Sequence, residues 1–153
     1  MAKDGPPTIQ NRKARHDYAV LDSYEAGIVL KGSEVKAIRD GQANLRDAYA
    51  TVRNGEVWLH GMHVSPYSHA STGDHDPLRA RKLLLHHAEI AEIARKTEQS
   101  GVTLIPMKLY FSNGRAKVDL AVARGKRQYD KRQTLRERDD KREAERALRG
   151  RNR

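Results

Sequence analysis

The chain has 153 residues, enough for one domain or one domain with a tail and too few for two ordinary domains. Its 30 Lys and Arg against 20 Asp and Glu give a net charge of +10, the balance of a protein that meets polyanions. The lack of cysteine excludes a disulfide framework, a thiolate-bound zinc and a thiol nucleophile. No apolar run nears bilayer length and the first eight residues lack a secretory signal's apolar stretch, so a cytoplasmic nucleic-acid-binding protein is expected.

In chain order, residues 1–8 read as a flexible N-terminus and 9–125 as the folded body. Arg12, Lys13, Arg15 and His16 cluster just before the first strand, where a contact to RNA and a charged, frayed terminus are both open. Strands are expected over 18–22 and 27–30. A short helix should follow over 34–40, with Ser33 as its N-cap, Gly41 as its stop, and Glu34 and Arg39 at the ends the macrodipole prefers; Val35 and Ile38 face inward. Asn54-Gly55 marks a hairpin that pairs 45–53 with 56–64, with Val57 and Leu59 alternating with Trp58 and His60. Ser65, Ser68, His69 and Ser71 belong to a solvated loop. A second helix is expected over 87–99, with Ile90, Ala91, Ile93 and Ala94 as its apolar stripe. A second hairpin turns at Asn113-Gly114, with Thr103, Ile105, Met107, Leu109 and Phe111 sharing one face of its first arm. On the return arm Ala116, Val118, Leu120 and Val122 share a face.

Six short antiparallel strands and two short helices point to a mainly β fold, a small closed barrel of the oligonucleotide-binding (OB-fold-like) kind. No nucleophile elbow, phosphate loop or dinucleotide turn is present, so no enzyme and no cofactor are expected. The seven histidines give no metal site either, because in a strand His60 and His63 fall on opposite faces.

The charge is concentrated at the chain's end. Residues 124–153 hold 13 Lys and Arg against 6 acids, a net +7, which leaves +3 on the rest. After Tyr129 the only sizeable apolar side chains are Leu135 and Leu148, too few for a packed face. Glu137–Lys141 and Glu145–Arg149 are acid-before-base pairs at i,i+4. The tail, 126–153, is therefore expected to be disordered alone and helical on a polyanionic surface.

Four stretches carry a family resemblance: Asn11-Arg12-Lys13-Ala14-Arg15-His16-Asp17-Tyr18; Glu25-Ala26-Gly27-Ile28-Val29-Leu30-Lys31-Gly32-Ser33-Glu34-Val35-Lys36; Arg81-Lys82-Leu83-Leu84-Leu85-His86; and Gly125-Lys126-Arg127-Gln128-Tyr129-Asp130-Lys131-Arg132. In order and spacing they resemble the small protein B family, the SsrA-binding proteins of bacteria. The resemblance implies a barrel that holds the tRNA-like domain of transfer-messenger RNA and, with elongation factor Tu and GTP, accompanies it into stalled ribosomes. The tail would then enter the vacant mRNA channel, fold as a helix and permit peptide tagging and ribosome rescue. A monomer is expected.

Carried over from the family, RNA-contacting positions fall on Glu25, Leu84 and Lys117: Lys117 for phosphate, Leu84 for an unstacked base or ribose, Glu25 for an amino group or sugar hydroxyl. For Leu84, core packing within the Leu83-Leu84-Leu85 run is the alternative. Arg12, Lys13, His16, Glu34 and Lys36 join this set, with a structural role at a helix start also open for Glu34 and Lys36. Lys126, Tyr129, Asp130, Lys131 and Arg132 correspond to the part that reaches the small-subunit decoding centre, where Tyr129 could stack on a base. Ala147-Leu148 stands where the family often has a larger apolar pair, which leaves open a weaker contact in the channel or one that rests on Leu148 alone.

Overall fold

The structure, a computed structural model, describes residues 6–67 and 75–126. Residues 1–5, 68–74 and 127–153 lie outside the described residues, and with them the expectations for Ser68, His69, Ser71, Tyr129, Asp130, Lys131, Arg132 and Leu148.

Among the described residues the fold is mainly antiparallel β with three helices. In chain order the elements are β1 (Ile9–Gln10), α1 (Arg12–Asp17), β2 (Tyr18–Ile28), α2 (Gly32–Arg39), β3 (Ala43–Asn44), β4 (Tyr49–Arg53), β5 (Glu56–His60), β6 (His63–Val64), β7 (Arg81–Leu84), α3 (His87–Thr97), β8 (Val102–Ser112) and β9 (Arg115–Gly125). Six strands pair around a ring in the order β8-β4-β5-β7-β2-β9, and β9 returns to β8; β1 adds to the outer side of β8, and β3 with β6 form a separate ribbon. The ring differs from the evenly closed barrel expected. Its β4–β8 seam is one residue pair, Ala50 opposite Leu104, and its β2–β7 seam is two, whereas β9 pairs along nearly its whole length with both β2 and β8. The two expected early strands join into the single β2, and β1, α1, β3 and β7 are additions to the expected set.

Both Asn-Gly turns form as expected. Asn54 and Gly55 have φ of 53° and 73°, Asn113 and Gly114 of 51° and 75°, the left-handed pair that matches a two-residue hairpin to the twist of its strands. The first hairpin is shorter than the sequence suggests: β4 pairs with β5, and its continuation diverges as β3 and β6. Val57 and Leu59 are fully buried, as their alternation requires.

The first arm of the second hairpin departs from strict alternation. Pro106 lies opposite Leu120 and Lys108 opposite Asp119, so Met107 is an extra residue on β8. That bulge reverses the faces on either side of it. Leu104 and Leu109 enter the main core, while Ile105 and Met107 turn to a second cluster with Ala14, Ala121 and Ala123, beneath α1. Ile105, Met107 and Leu109 therefore do not share a face. Asn11 fixes the distortion: its amide nitrogen donates to Pro106 O (2.8 Å) and Leu45 O (3.0 Å), its backbone N–H to Met107 O (2.9 Å), and its side-chain oxygen caps α1 at Ala14 N (3.1 Å).

Helix α2 begins one residue before Ser33, with Lys31 at the N-cap position. Ser33 is not the cap; its hydroxyl pairs with His75 Nδ1 at 2.8 Å. The Glu34 carboxylate instead reaches back to accept from the Lys31 amide at 2.7 Å. Ala37 and Ile38 supply the buried face. Helix α3 buries Ile93 and leaves Ala91 exposed, and it is tied to β2 by Lys96, which donates to Tyr24 Oη (2.6 Å) and pairs with Asp22. The hydrogen bond and charge of Lys96 lower the Asp22 carboxyl, and the Lys96 ammonium is raised in turn, chiefly by Asp22.

Candidate nucleic-acid interface

Pleat and pairing together build one outward-facing row across four strands. On β2, Tyr24, Ala26 and Ile28 point into the core, so Glu25 and Gly27 point out. On β7 Leu83 is buried and Leu84 exposed, and on β9 Lys117 stands between the inward Ala116 and Val118. Gly27 lies opposite Leu84 on one side and Lys117 on the other, and Lys117 lies opposite Tyr110 on β8. With strands about 4.8 Å apart, Leu84, Gly27, Lys117 and Tyr110 form a continuous crosswise row.

Leu84, Gly27 and Lys117 of this row floor a groove of about 590 Å³, lined also by Glu25, His86, Phe111 and Arg115. Gly27 has no side chain to fill it. A Cβ there would meet Leu84 Cβ at 3.4 Å and Cδ1 at 3.7 Å, so the Leu84 side chain leans over the glycine. Leu84 is 52% exposed, which rules against the core alternative and leaves an apolar side chain presented in a groove of mixed polar and apolar lining.

Next to it, Tyr110 Oη donates to Glu25 Oε2 at 2.5 Å. Burial, that hydrogen bond and the charges of Glu25 and Asp119 push the phenol up to about 12, so it stays a neutral donor across the physiological range. Lys108 Nζ lies 5.6 Å from the Tyr110 ring centroid, and Arg39 stacks over Phe111 at 5.4 Å. Among the described residues Lys117 makes no ion pair, so its ammonium is free for a ligand. The groove thus gathers Glu25, Leu84 and Lys117 from three strands far apart in sequence. Sequence reasoning missed Tyr110, although its alternation with Leu109 and Phe111 already set it on the outer face.

Glu34 is placed differently. It has no exposed surface, and its oxygens receive Arg79 Nη2 (2.6 Å), Arg81 Nε (2.5 Å) and the Lys31 amide. Burial alone would raise this carboxyl, but the hydrogen bonds from Arg79, Lys31 and Arg81 outweigh it and hold it below the ordinary value. Arg81, itself fully buried, also donates to Met62 O at 2.8 Å and so ties β7 to α2 and to the link between β5 and β6. Of the two readings open for Glu34, this geometry fits the structural one: the expectation of an RNA contact there meets a carboxylate with no exposed surface. Lys36 is exposed on α2, its Nζ 5.7 Å from the Tyr67 ring centroid.

The N-terminal cluster lies elsewhere. Arg12, Lys13 and His16 are exposed on α1; Lys13 pairs with Asp47 (2.9 Å) and His16 Nδ1 with Asp17 (3.0 Å). Lys126, the last described residue, donates to Arg15 O at 3.0 Å and so docks the start of the tail against the end of α1. Tyr18 pairs with Gly125 at this end, nine residues along β2 from Gly27, which sets the two basic regions roughly 30 Å apart at ~3.3 Å per residue. Among the described residues no group of three or more His, Cys, Asp or Glu could hold a metal, and no helix is long and apolar enough to cross a membrane. His60 pairs with Thr51 Oγ1 at 2.9 Å and stacks on Tyr49.

A sequence model described as SmpB protein matches residues 8–150. The chain belongs to the SmpB family. Among its relatives, the SsrA-binding protein of Thermobifida fusca (strain YX) is 58% identical over 148 residues, covering 96% of this chain and 92% of that protein. The SsrA-binding protein of Desulforudis audaxviator (strain MP104C) is 53% identical over 151 residues, covering 98% and 99%. A chain from a solved structure described as "tmRNA-SmpB: a journey to the center of the bacterial ribosome" is 48% identical, with a TM-score of 0.67 over 78% of this chain and 84% of that one. The SmpB match runs past residue 126 and so takes in most of the basic tail, while the groove residues all fall inside the described β body.

Proposed function

We propose that this chain is an RNA-binding adaptor of trans-translation, with no reaction of its own, that holds the tRNA-like domain of transfer-messenger RNA in the groove over Gly27 and brings it to stalled ribosomes. The observation that carries this reading is the convergence of Glu25, Leu84 and Lys117 in one groove. An ammonium for phosphate, an exposed apolar side chain for an unstacked base or ribose, and a carboxylate acceptor are the groups by which proteins read folded RNA. The SsrA-binding names of its relatives and the tmRNA and ribosome of the solved neighbour point the same way.

The body acts as a small oligonucleotide-binding barrel, 9–125, with Lys36 extending its RNA face along α2. Glu34 supports that face from within. At the other end of β2, Arg12, Lys13 and His16 border the exit of the tail, 126–153. In this reading the tail runs into the vacant mRNA channel as a helix, with Lys126, Tyr129, Asp130, Lys131 and Arg132 near the decoding centre and Leu148 deeper in the channel. Elongation factor Tu with GTP joins through the RNA, one copy of this protein serves each RNA, and the work is done in the cytoplasm.

The test is selectivity. At physiological salt the full chain should prefer the tRNA-like domain over an unrelated hairpin of equal length by at least about a hundredfold, since a specific complex exceeds the salt-dependent background by that much or more. Equal affinity for the two RNAs rejects the adaptor in favour of a general RNA binder.

A further inference from the structure

We propose that Tyr110 is a positioning residue of the RNA groove: its hydroxyl holds the Glu25 carboxylate as an outward-facing acceptor and keeps that carboxylate from capturing Lys117. The inference rests on the groove reading above and adds a residue and a role to it.

The argument is one of competing partners. Glu25, Lys117 and Asp119 face the same side of the sheet, Lys117 in the row of Gly27 and Asp119 directly opposite Glu25. Two carboxylates beside one flexible ammonium would ordinarily close on it, and a lysine neutralised in this way is lost to phosphate. Tyr110, opposite Lys117 on the far strand, reaches across to Glu25 Oε2 at 2.5 Å. One carboxylate oxygen is thereby satisfied and fixed, the other is left to accept from a base or ribose, and Lys117 is left unpaired. A charge-assisted O–H···O bond of this length is among the stronger ones available to a phenol. With its hydroxyl proton retained up to about pH 12, Tyr110 remains a donor whenever Glu25 is ionised. A rigid ring with two torsions loses little entropy in doing so, and Lys108 over its face holds the ring in place.

The test is a double-mutant cycle on the full chain with labelled tRNA-like RNA. Tyr110→Phe keeps the ring and removes the hydroxyl; it should weaken binding about five- to tenfold, with an unchanged melting temperature and a slope of log affinity against log salt lowered toward that of Lys117→Ala, because Glu25 is then released to capture Lys117. In a Glu25→Ala background the same change should cost nothing further, because the group it positions is gone. A loss of equal size in that background makes Tyr110 a direct RNA contact and overturns the proposal. So does an unchanged affinity for Tyr110→Phe, or a lowered melting temperature as its sole effect. If Glu25→Ala and Leu84→Ala also leave affinity untouched, the groove reading falls together with this one.

Discussion

Burial separates Glu34 from Leu84 among the residues carried over for the proposed RNA interface, the first enclosed and the second half exposed. Glu34 is enclosed with Arg81, and removing one member of a buried, hydrogen-bonded ion pair leaves the other charged and unsolvated. Glu34→Gln should therefore cost about 3–5 kcal/mol of stability by denaturant unfolding. The pH dependence has a definite sign. The folded carboxyl lies below its ordinary value of 4.5, so its contribution is complete above that value and is lost as pH falls through the lower folded value. Wild-type stability should decline over that acid window more steeply than that of the variant. Leu84 is the converse case. Its side chain is half exposed, so Leu84→Ala should change stability by no more than about 0.5 kcal/mol while clearly weakening RNA binding. Lys117→Ala should weaken binding by about 1–3 kcal/mol and lower the salt slope by roughly one phosphate contact, without altering the melting temperature.

At the scale of the element, most of what periodicity can carry is present and what it cannot carry is instructive. The Asn-Gly hairpins, the inward face of β9 and the positions of α2 and α3 follow from turn chemistry and spacing, which are local. The bulge at Met107 is not local: it depends on where Asn11 can reach carbonyls of β8 and of the β3–β4 connection, so alternation along β8 misassigns Ile105 and Met107. The Ser33 cap fails for a related reason. Glu34 has partners 45 and 47 residues away, and they decide how α2 begins. The groove residues were nameable through family resemblance, but that they meet is a consequence of strand order, which no single-strand pattern encodes. Asn11 gives the element-scale prediction. Asn11→Ala would strip α1 of its cap and leave Leu45 O and Pro106 O without their buried donor. A loss of about 2–4 kcal/mol is expected in chemical denaturation, the sum expected for a cap and buried unpaired carbonyls. Asn11→Asp should be no better, because it aims a carboxylate at those same oxygens.

Over the whole molecule, the charge of +10 divides into +3 on the first 123 residues and +7 on the remainder, and the two parts suit different tasks. In the proposed function, a body with little excess charge draws its selectivity from a shaped groove and a few placed groups. A strongly basic segment with two sizeable apolar side chains beyond Tyr129 suits an RNA-walled passage instead. The long β2/β9 ribbon joins them, with the groove toward one end and, roughly 30 Å away, the α1–Lys126 contact from which the tail departs. That separation makes the functions divisible. The most direct measurement compares the full chain with one ending at Gln128 in two assays: affinity for the tRNA-like domain, and peptide tagging on stalled ribosomes. The account predicts unchanged affinity and lost tagging in the shortened chain; a comparable loss of RNA affinity would contradict it.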